Sequence, residues 1–222
     1  MPVRAVAILV VVLVALLVGI FSLGSLVEYL DASEIMVIQA PISGDLRVII
    51  QPGVYGQWFG TITKYKKRDQ FWFSSQSDQG KKLDESMRIR FNDGGHAMLS
   101  GSLAWEMPID ITHVVSVHTK YGSHHAIEQQ LIRTVVEKSI YMTGPLMSSA
   151  ESYAARRNEL LNLINDQVVG GVFRTEAVQE RQKDLMTGAD KTVTVVKLVK
   201  GADGKFVRQD DSPLDEFGLK VF

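Results

Sequence analysis

The sequence of 222 residues contains no cysteine. Without thiols the chain has no means of forming disulfides, thiolate nucleophiles, iron–sulfur clusters or cysteine-type zinc sites. It also lacks an excess of positive charge, because 24 basic side chains stand against 25 acidic ones. Surfaces that bind phosphate backbones normally carry a basic excess. The charge balance therefore argues against nucleic acid as a partner.

The sequence also lacks the short motifs that accompany common enzymatic chemistry. It has no Walker-type Gly-x-x-x-x-Gly-Lys, no Gly-x-Gly-x-x-Gly and no Gly-x-Ser-x-Gly nucleophile elbow. A membrane-tethered hydrolase would need a convergent set of titratable groups in a pocket, and none stands out. The chain is therefore predicted not to be an enzyme.

Four of the five histidines are close in sequence, and their spacing does not favour a shared metal. His113 and His118 would lie about 140° apart on a helix and on opposite faces of a strand. His124 and His125 are adjacent at the expected start of a helix, where solvated polar residues are common. A metal or catalytic role for these side chains is the weaker interpretation.

Adjacent like charges are the remaining candidates for ligand contacts. Arg156-Arg157 could form an anion or lipid-headgroup site, although solvated side chains beside an apolar stripe are the preferred interpretation. The pairs Asp84-Glu85 and Asp210-Asp211 stand next to expected turns or strand ends, where carboxylates cap backbone N–H groups. We predict no catalytic, cofactor-binding or metal-ligating residue, and no cofactor.

One long apolar run dominates the N-terminal part of the chain. Residues 5–27 include no charged side chain. As a helix rising about 1.5 Å per residue, this run would span roughly 35 Å, enough for a hydrocarbon core about 30 Å thick. A cleaved signal peptide is the alternative, but the run is longer than a typical signal core and no Ala-x-Ala pattern follows. We predict a transmembrane anchor over residues 1–27, with the lipid bilayer as a partner.

The charges that flank the anchor predict its orientation. Arg4 precedes the apolar run, whereas Glu28, Asp31 and Glu34 follow it. Positive charge tends to remain in the cytoplasm. The protein is therefore predicted to be a single-pass membrane protein with a cytoplasmic N-terminus and an extracytoplasmic bulk.

After the anchor the sequence has strand character. Residues 34–40 and 44–50 are short, apolar and β-branched, and the segment 87–107 predicts a hairpin around Asn92-Asp93-Gly94-Gly95. The aromatic side chains between them are predicted to pack in a core, with a ligand platform or a membrane-interface position as alternatives: Tyr55, Trp58, Phe59, Tyr65, Phe71, Trp72 and Phe73.

The hydrophobic period changes near residue 110. Two stripes, one through Ile127, Leu131 and Val135 and one through Ile132, Val136 and Ile140, predict a helix over 123–142. Ser148 and Glu151 form a capping-box pattern at the start of a second helix, 148–168. Residues 174–187 predict a short helix, residues 191–209 a second hairpin, and the tail a helical turn, a glycine stop and a final strand.

These elements predict an α+β fold. A β-rich, membrane-proximal subdomain is expected over residues 28–110. An α/β subdomain over 111–222 is expected to carry the added hairpin 191–209.

The order of these parts resembles the stomatin/prohibitin/flotillin family, also called the SPFH or band 7 domain, over roughly residues 26–222. The resemblance lies in the membrane segment followed by a series of short matches: Gly44-Asp45-Leu46, the turn 51–55, the hairpin residues 90–95, Trp105-Glu106-Met107-Pro108, the helix residues 153–160, and Phe217-Gly218-Leu219-Lys220-Val221. The hairpin 191–209 makes the link before the closing strand longer than is usual in the family. The family normally continues into a long coiled coil, so we expect either such an extension or assembly without it.

The resemblance implies a non-enzymatic, membrane-anchored scaffold. Such proteins oligomerise laterally into a ring or cage, and they organise a membrane patch or regulate membrane proteins such as proteases. The alternative from a different class is a monomeric membrane-tethered ligand-binding or regulatory module. Large oligomers after gentle detergent extraction would separate the two.

Overall fold

The structure, a computed structural model, describes residues 12–14, 16, 26–76, 78–80, 83–183 and 190–222. The predicted anchor at residues 1–27 therefore lies mostly outside the described residues, although its last residue, Val27, is the first residue of a strand. Among the described helices, none has both the length and the apolar character needed to cross a bilayer. About 32% of the residues are helical and 34% are in strands, which confirms the predicted α+β class.

The chain divides into two compact units. Unit 1 comprises Met1–Lys67 and Ile109–His124, and unit 2 comprises Arg68–Pro108 and His125–Phe222. These bounds differ from the predicted single boundary at residue 110. The reason is that the strands between residues 68 and 106 pair and pack with elements from the C-terminal part of the chain.

Unit 1 is built from short antiparallel strands and one helix. The elements are β1 (Val27–Leu30), β2 (Glu34–Gln39), β3 (Leu46–Ile49), β4 (Gly53–Gly56), β5 (Thr61–Lys66) and α1 (Ile111–Tyr121). A three-stranded sheet has the order β3-β2-β5, and β1 pairs with β4. The strands predicted at 34–40 and 44–50 are confirmed as β2 and β3. Leu30, Met36, Ile38 and Ile49 form a buried cluster between them.

Helix α1 has clear start and stop signals in the sequence. The side chain of Asp110 accepts a hydrogen bond from the backbone N–H of His113 at its N-terminus. Gly122 ends the helix with φ +72°, a left-handed conformation that favours glycine. The helix buries Val114 and Val117.

The strands of unit 2 form three antiparallel sheets. They are β6 (Arg68–Phe73), β7 (Met87–Arg90), β8 (His96–Leu99), β9 (Gly101–Glu106), β10 (Thr175–Lys183), β11 (Asp190–Leu198) and β12 (Lys220–Val221). Strand β9 lies between β6 and β12, while β7 pairs with β8 and β10 with β11. The predicted hairpin around Gly94, which has φ +81°, is confirmed by the β7–β8 pair. Its return strand ends at Leu99, however, and β9 pairs with other strands.

A long helix, which belongs to unit 2 except for His124, confirms the helix predicted over 123–142. It starts with α2 (His124–Ala126), continues through a π-helical stretch (Ile127–Ile132) and ends with α3 (Arg133–Thr143). A 3₁₀ turn, Gly144–Leu146, follows.

The second predicted helix, 148–168, is divided in two. The capping box of Ser148 and Glu151 is confirmed at the start of α4 (Ser149–Tyr153). The helix then breaks at Ala154, and α5 (Arg157–Gly170) follows. Arg156, just before α5, forms ion pairs with Glu151 and Glu159 on either side of the break.

The second hairpin is confirmed in part. The chain turns at residues 201–204 as predicted, because Lys200 is bridged to Phe206 and the N–H of Val207 donates to the carbonyl of Val199 over 2.9 Å. Strand β11 itself, however, pairs along its whole length with β10 and not with residues 205–209. The short helix predicted over 174–187 is wrong, because β10 occupies most of that stretch. Its polar sequence, TEAVQERQK, has a weak strand signal, and the valine-rich partner strand determines its conformation. The tail is confirmed as a helical turn, α6 (Pro213–Glu216), followed by Gly218 and β12.

Candidate functional site: the apolar end of unit 1

Two turns of unit 1 lie side by side at one end of its three-stranded sheet. Gln39, at the end of β2, pairs with Leu46 on one neighbouring strand and with Thr61 on the other. The turns formed by residues 40–45 and 57–60 therefore project from the same end.

The first strand of unit 1 also starts at this end. Val27, at the start of β1, is paired with Gly56 of β4. The backbone N–H of Gln57 donates a hydrogen bond to the carbonyl of Leu26 over 2.9 Å. The boundary between the long apolar run and the folded strands therefore lies next to the turn 57–60.

The turn 57–60 holds two aromatic residues in an unusual backbone conformation. Trp58 has φ +49° and Phe59 has φ +62°, and the N–H of Gly60 donates to the carbonyl of Gln57 over 2.8 Å. Positive φ at both central residues is typical of a type I′ turn, which Asn and Gly normally supply. A bulky residue in this region costs about 1–3 kcal/mol. The aromatic pair is therefore kept at a strained position, with Trp58 71% and Phe59 58% exposed.

Two glycines fit closely around this turn. A Cβ atom on Gly60 would lie 2.8 Å from the carbonyl oxygen of Gln39, and one on Gly56 would lie 2.8 Å from Nε1 of Trp58. The Trp58 indole thus lies across Gly56, whose carbonyl accepts a 2.7 Å hydrogen bond from Nη2 of Arg47. A cavity of about 260 Å³ separates the indole from the neighbouring turn.

The neighbouring turn adds another exposed apolar side chain. Ile42 at its tip is 99% exposed. The turn is closed by a 2.9 Å hydrogen bond from the N–H of Ala40 to the carbonyl of Asp45, and Gly44 supplies a positive φ of +76°. We call Val27, Ile42, Trp58 and Phe59 together the apolar end of unit 1.

An exposed apolar strip continues from the apolar end along the β1–β4 pair. Tyr29 lies directly opposite Val54, and both are exposed on the face that also carries Val27. On the other face Leu30 is buried, and Glu28 forms a 2.7 Å ion pair with Lys64. We call Tyr29 and Val54 the side strip.

The aromatic residues singled out from the sequence separate into three groups, one of which, Tyr55 and Trp72, is half-buried. Tyr65, Phe71 and Phe73 are buried, so the prediction of core packing is confirmed for them. It is wrong for Trp58 and Phe59. The sequence does contain a signal for this turn, because the pair is bracketed by Gly56 and Gly60, and its strand-like aromatic character concealed that signal.

The histidines of unit 1 have partners within the fold. His113 contacts the helix-capping carboxylate of Asp110, with 2.9 Å between Nδ1 and Oδ2. Nδ1 of His118 lies 2.6 Å from the hydroxyl of buried Tyr65. No group of three potential metal ligands occurs in the described part of the chain.

The charged pairs singled out from the sequence are largely occupied by structural contacts. Arg156 donates two hydrogen bonds to Glu159, of 2.6 and 2.7 Å, so its guanidinium is already engaged. Asp84 accepts from the backbone N–H of Ser86, as predicted for a turn carboxylate. Asp210 instead forms a 2.8 Å ion pair with Lys138.

No protein-family model matches the chain, and no curated protein matches it either. What the apolar end can do therefore follows from its own chemistry. Large apolar side chains grouped at one end of a small unit favour contact with another apolar phase, either a bilayer or a protein surface.

Proposed function

We propose that the protein is a non-enzymatic scaffold of the SPFH (band 7) type, anchored in the membrane by the apolar run that precedes β1. In this proposal, unit 1 stands on the bilayer with its apolar end in the interface, and copies associate laterally into a ring or cage. The observation that carries the proposal is the position of Val27 at the same end of unit 1 as the exposed Trp58-Phe59 turn. An apolar segment that enters the bilayer before Val27 would bring this turn to the headgroup region.

The chemistry of the turn suits that environment. Tryptophan is enriched at membrane–water interfaces because its ring is apolar while its N–H can remain hydrated. Complete burial of a large apolar side chain contributes about 1.5–3 kcal/mol. A transmembrane anchor already provides attachment, so the main effect of the apolar end is to fix the orientation of unit 1 relative to the bilayer.

A fixed orientation favours lateral assembly. Single-pass anchors point every copy the same way, which is compatible with repeated heterologous contacts between neighbours, and such contacts form a ring when the rotation between copies closes. Many anchors in one assembly strengthen its membrane attachment through effective concentration. The side strip of Tyr29 and Val54 offers an apolar surface for such a neighbour. The partners proposed are therefore the bilayer, further copies of the chain, and a membrane protein client such as a protease.

A fluorescence experiment tests the position of the apolar end. The natural absence of cysteine allows single labels to be introduced by Phe59→Cys or Ile42→Cys, with an environment-sensitive dye on the full chain in phosphatidylcholine vesicles. We expect blue-shifted emission, and quenching by lipids that carry a quencher at shallow depth. Ala32→Cys is the matched control, because Ala32 lies in the turn at the opposite end of β2 and is also exposed.

The proposal requires a difference between the two ends. Equal emission and equal quenching at positions 59 and 32 would contradict an interfacial position of the apolar end. Blue-shifted emission that does not respond to the lipid quencher would instead indicate a protein partner on this surface.

A further inference from the structure

A cleft in unit 2 collects basic side chains from two paired strands. Its volume is about 360 Å³, and it is lined by Arg88, Arg90, His96 and Tyr141. Arg88 and Arg90 alternate with buried Met87 and Ile89 along β7, so both face the same side, with Cα atoms about 6.6 Å apart.

The other two side chains approach from neighbouring elements. His96 of β8 is the direct cross-strand partner of Arg90. Tyr141 belongs to α3, which packs against β7, and its side chain is exposed. The cleft therefore presents two guanidinium groups, an imidazole and a phenolic hydroxyl, all of which can donate hydrogen bonds.

The basic groups of this cleft are not neutralised by the fold. Several other basic side chains of unit 2 form ion pairs with carboxylates: Arg68, Arg133, Lys138, Arg156, Lys197 and Arg208. The side chains of Arg88, Arg90 and His96 form no hydrogen bond or ion pair with any residue that the structure describes. Their donors are therefore available to a ligand.

Close packing of β7 against the segment after α3 keeps the residues that line the cleft in place. Ile89 is fully buried between the two arginines. Gly144, just after α3, lies so close to β7 that a Cβ atom on it would be 2.3 Å from the carbonyl oxygen of Arg90. This close approach fixes the helix that carries Tyr141 against the strand that carries the arginines.

We propose that this cleft binds a phosphomonoester group. Arginine presents a planar fork of N–H donors that matches phosphate oxygens, and two arginines can balance the charge of a phosphate dianion. A carboxylate carries a single negative charge, so one arginine would be enough for it. The cleft is larger than a phosphate group, which leaves room for part of the molecule to which the phosphate is attached. The source of the phosphate is either a soluble compound or a lipid headgroup.

Equilibrium dialysis with radiolabelled inorganic phosphate tests the proposal on the full chain in phosphatidylcholine nanodiscs. We expect saturable binding, and we expect the double variant Arg88→Ala/Arg90→Ala to weaken it by about tenfold or more. The matched control is Arg174→Ala/Lys205→Ala, which removes the same charge from exposed positions of unit 2 outside the cleft. This control should change the affinity by less than about twofold. Circular dichroism before dialysis verifies that each variant is folded.

A conservative variant separates geometry from charge. Arg88→Lys/Arg90→Lys keeps both positive charges but loses the planar forks, so binding should be weaker than in the unmodified chain and stronger than in the alanine variant. Equal losses in the alanine variant and in the Arg174/Lys205 control would mean that only net charge matters, and would overturn the proposal.

A second arm of the experiment identifies the source of the phosphate. Nanodiscs containing phosphatidic acid present phosphomonoesters at the membrane, whereas phosphatidylglycerol presents only phosphodiesters. If a headgroup is the ligand, phosphatidic acid should displace labelled phosphate and phosphatidylglycerol should not. If neither lipid competes while labelled phosphate still binds, the ligand is soluble. If labelled phosphate does not bind in the first arm, the proposal is overturned.

Discussion

The phenolic hydroxyl of Tyr65 lies 2.6 Å from Nδ1 of His118 and joins β5 to α1 within unit 1. The two rings meet edge to face, with 5.9 Å between their centroids. Burial raises the pKa of Tyr65 to about 12, so its hydroxyl keeps its proton at neutral pH. Burial also lowers the pKa of His118, which favours the neutral imidazole as the hydrogen-bond partner.

This pair predicts that the protein loses stability in mild acid. The unfolded chain takes up a proton at His118 near the ordinary pKa of 6.5, whereas the folded protein takes it up only at lower pH. The contribution is therefore complete above about pH 6.5 and is lost as the pH falls through the folded pKa. Urea unfolding at a series of pH values measures this slope. His118→Gln should flatten it, whereas His125→Gln, at an exposed position, should not. An unchanged slope in His118→Gln would rule out this origin.

Relief of strain in the turn 57–60 should stabilise the fold and weaken its membrane contact. The double variant Trp58→Asn/Phe59→Gly supplies the residues that a type I′ turn prefers. We expect the free energy of unfolding to rise by about 1–2 kcal/mol, because two left-handed aromatic residues are removed. A dye at position 42 should then lose part of its blue shift in vesicles. Lower stability would indicate that packing of Trp58 on Gly56 outweighs the strain.

Gly144→Ala should destabilise unit 2. The new methyl group would lie 2.3 Å from the carbonyl oxygen of Arg90 and 2.8 Å from Cγ1 of Ile89, and a backbone atom cannot easily move away. We expect a loss of about 1–3 kcal/mol in urea unfolding. Gly204→Asn serves as the control, because this glycine has open space around it and asparagine tolerates its φ of +77°. If Gly144→Ala is as stable as the unmodified chain, β7 and α3 can move apart without a loss of unfolding free energy.

A photo-crosslinker at the side strip tests lateral assembly. Replacement of Tyr29 by benzoylphenylalanine should yield a ladder of crosslinked copies on illumination in membranes at native expression. The same substitution at Ala32 reports the background. Monomers alone from position 29 would favour the membrane-tethered module over the scaffold.

Local signals in the sequence were sufficient for much of the fold. The turn at Gly94 and the capping box of Ser148 and Glu151 were predicted because each depends on residues only a few positions apart. The α+β class followed from the change of hydrophobic period near residue 110. These features could be read from single stretches of sequence.

The features that were missed depend on partners distant in sequence or on rare backbone geometry. Strand β10 has too little apolar alternation to be recognised without β11, which pairs with it. The Trp58-Phe59 turn occupies a conformation that its residues seldom adopt, so aromatic character predicted burial instead. The cleft lined by Arg88, Arg90 and His96 could not be predicted without the register of β7 with β8, since only that register brings Arg90 opposite His96.

The π-helical stretch Ile127–Ile132 changes the phase of the helix that contains it. Its hydrogen bonds run from residue i to residue i+5, so each turn holds more residues than an α-turn. Ile127, Leu131 and Val135 are buried, and so are Ile132, Val136 and Ile140. The second stripe is offset from the first by one residue, a displacement of about 100° on a regular α-helix. Because a π-helical turn accommodates an extra residue, we expect deletion of Gln129 to restore α-helical hydrogen bonding and to turn Ile127 by about 100° relative to α3.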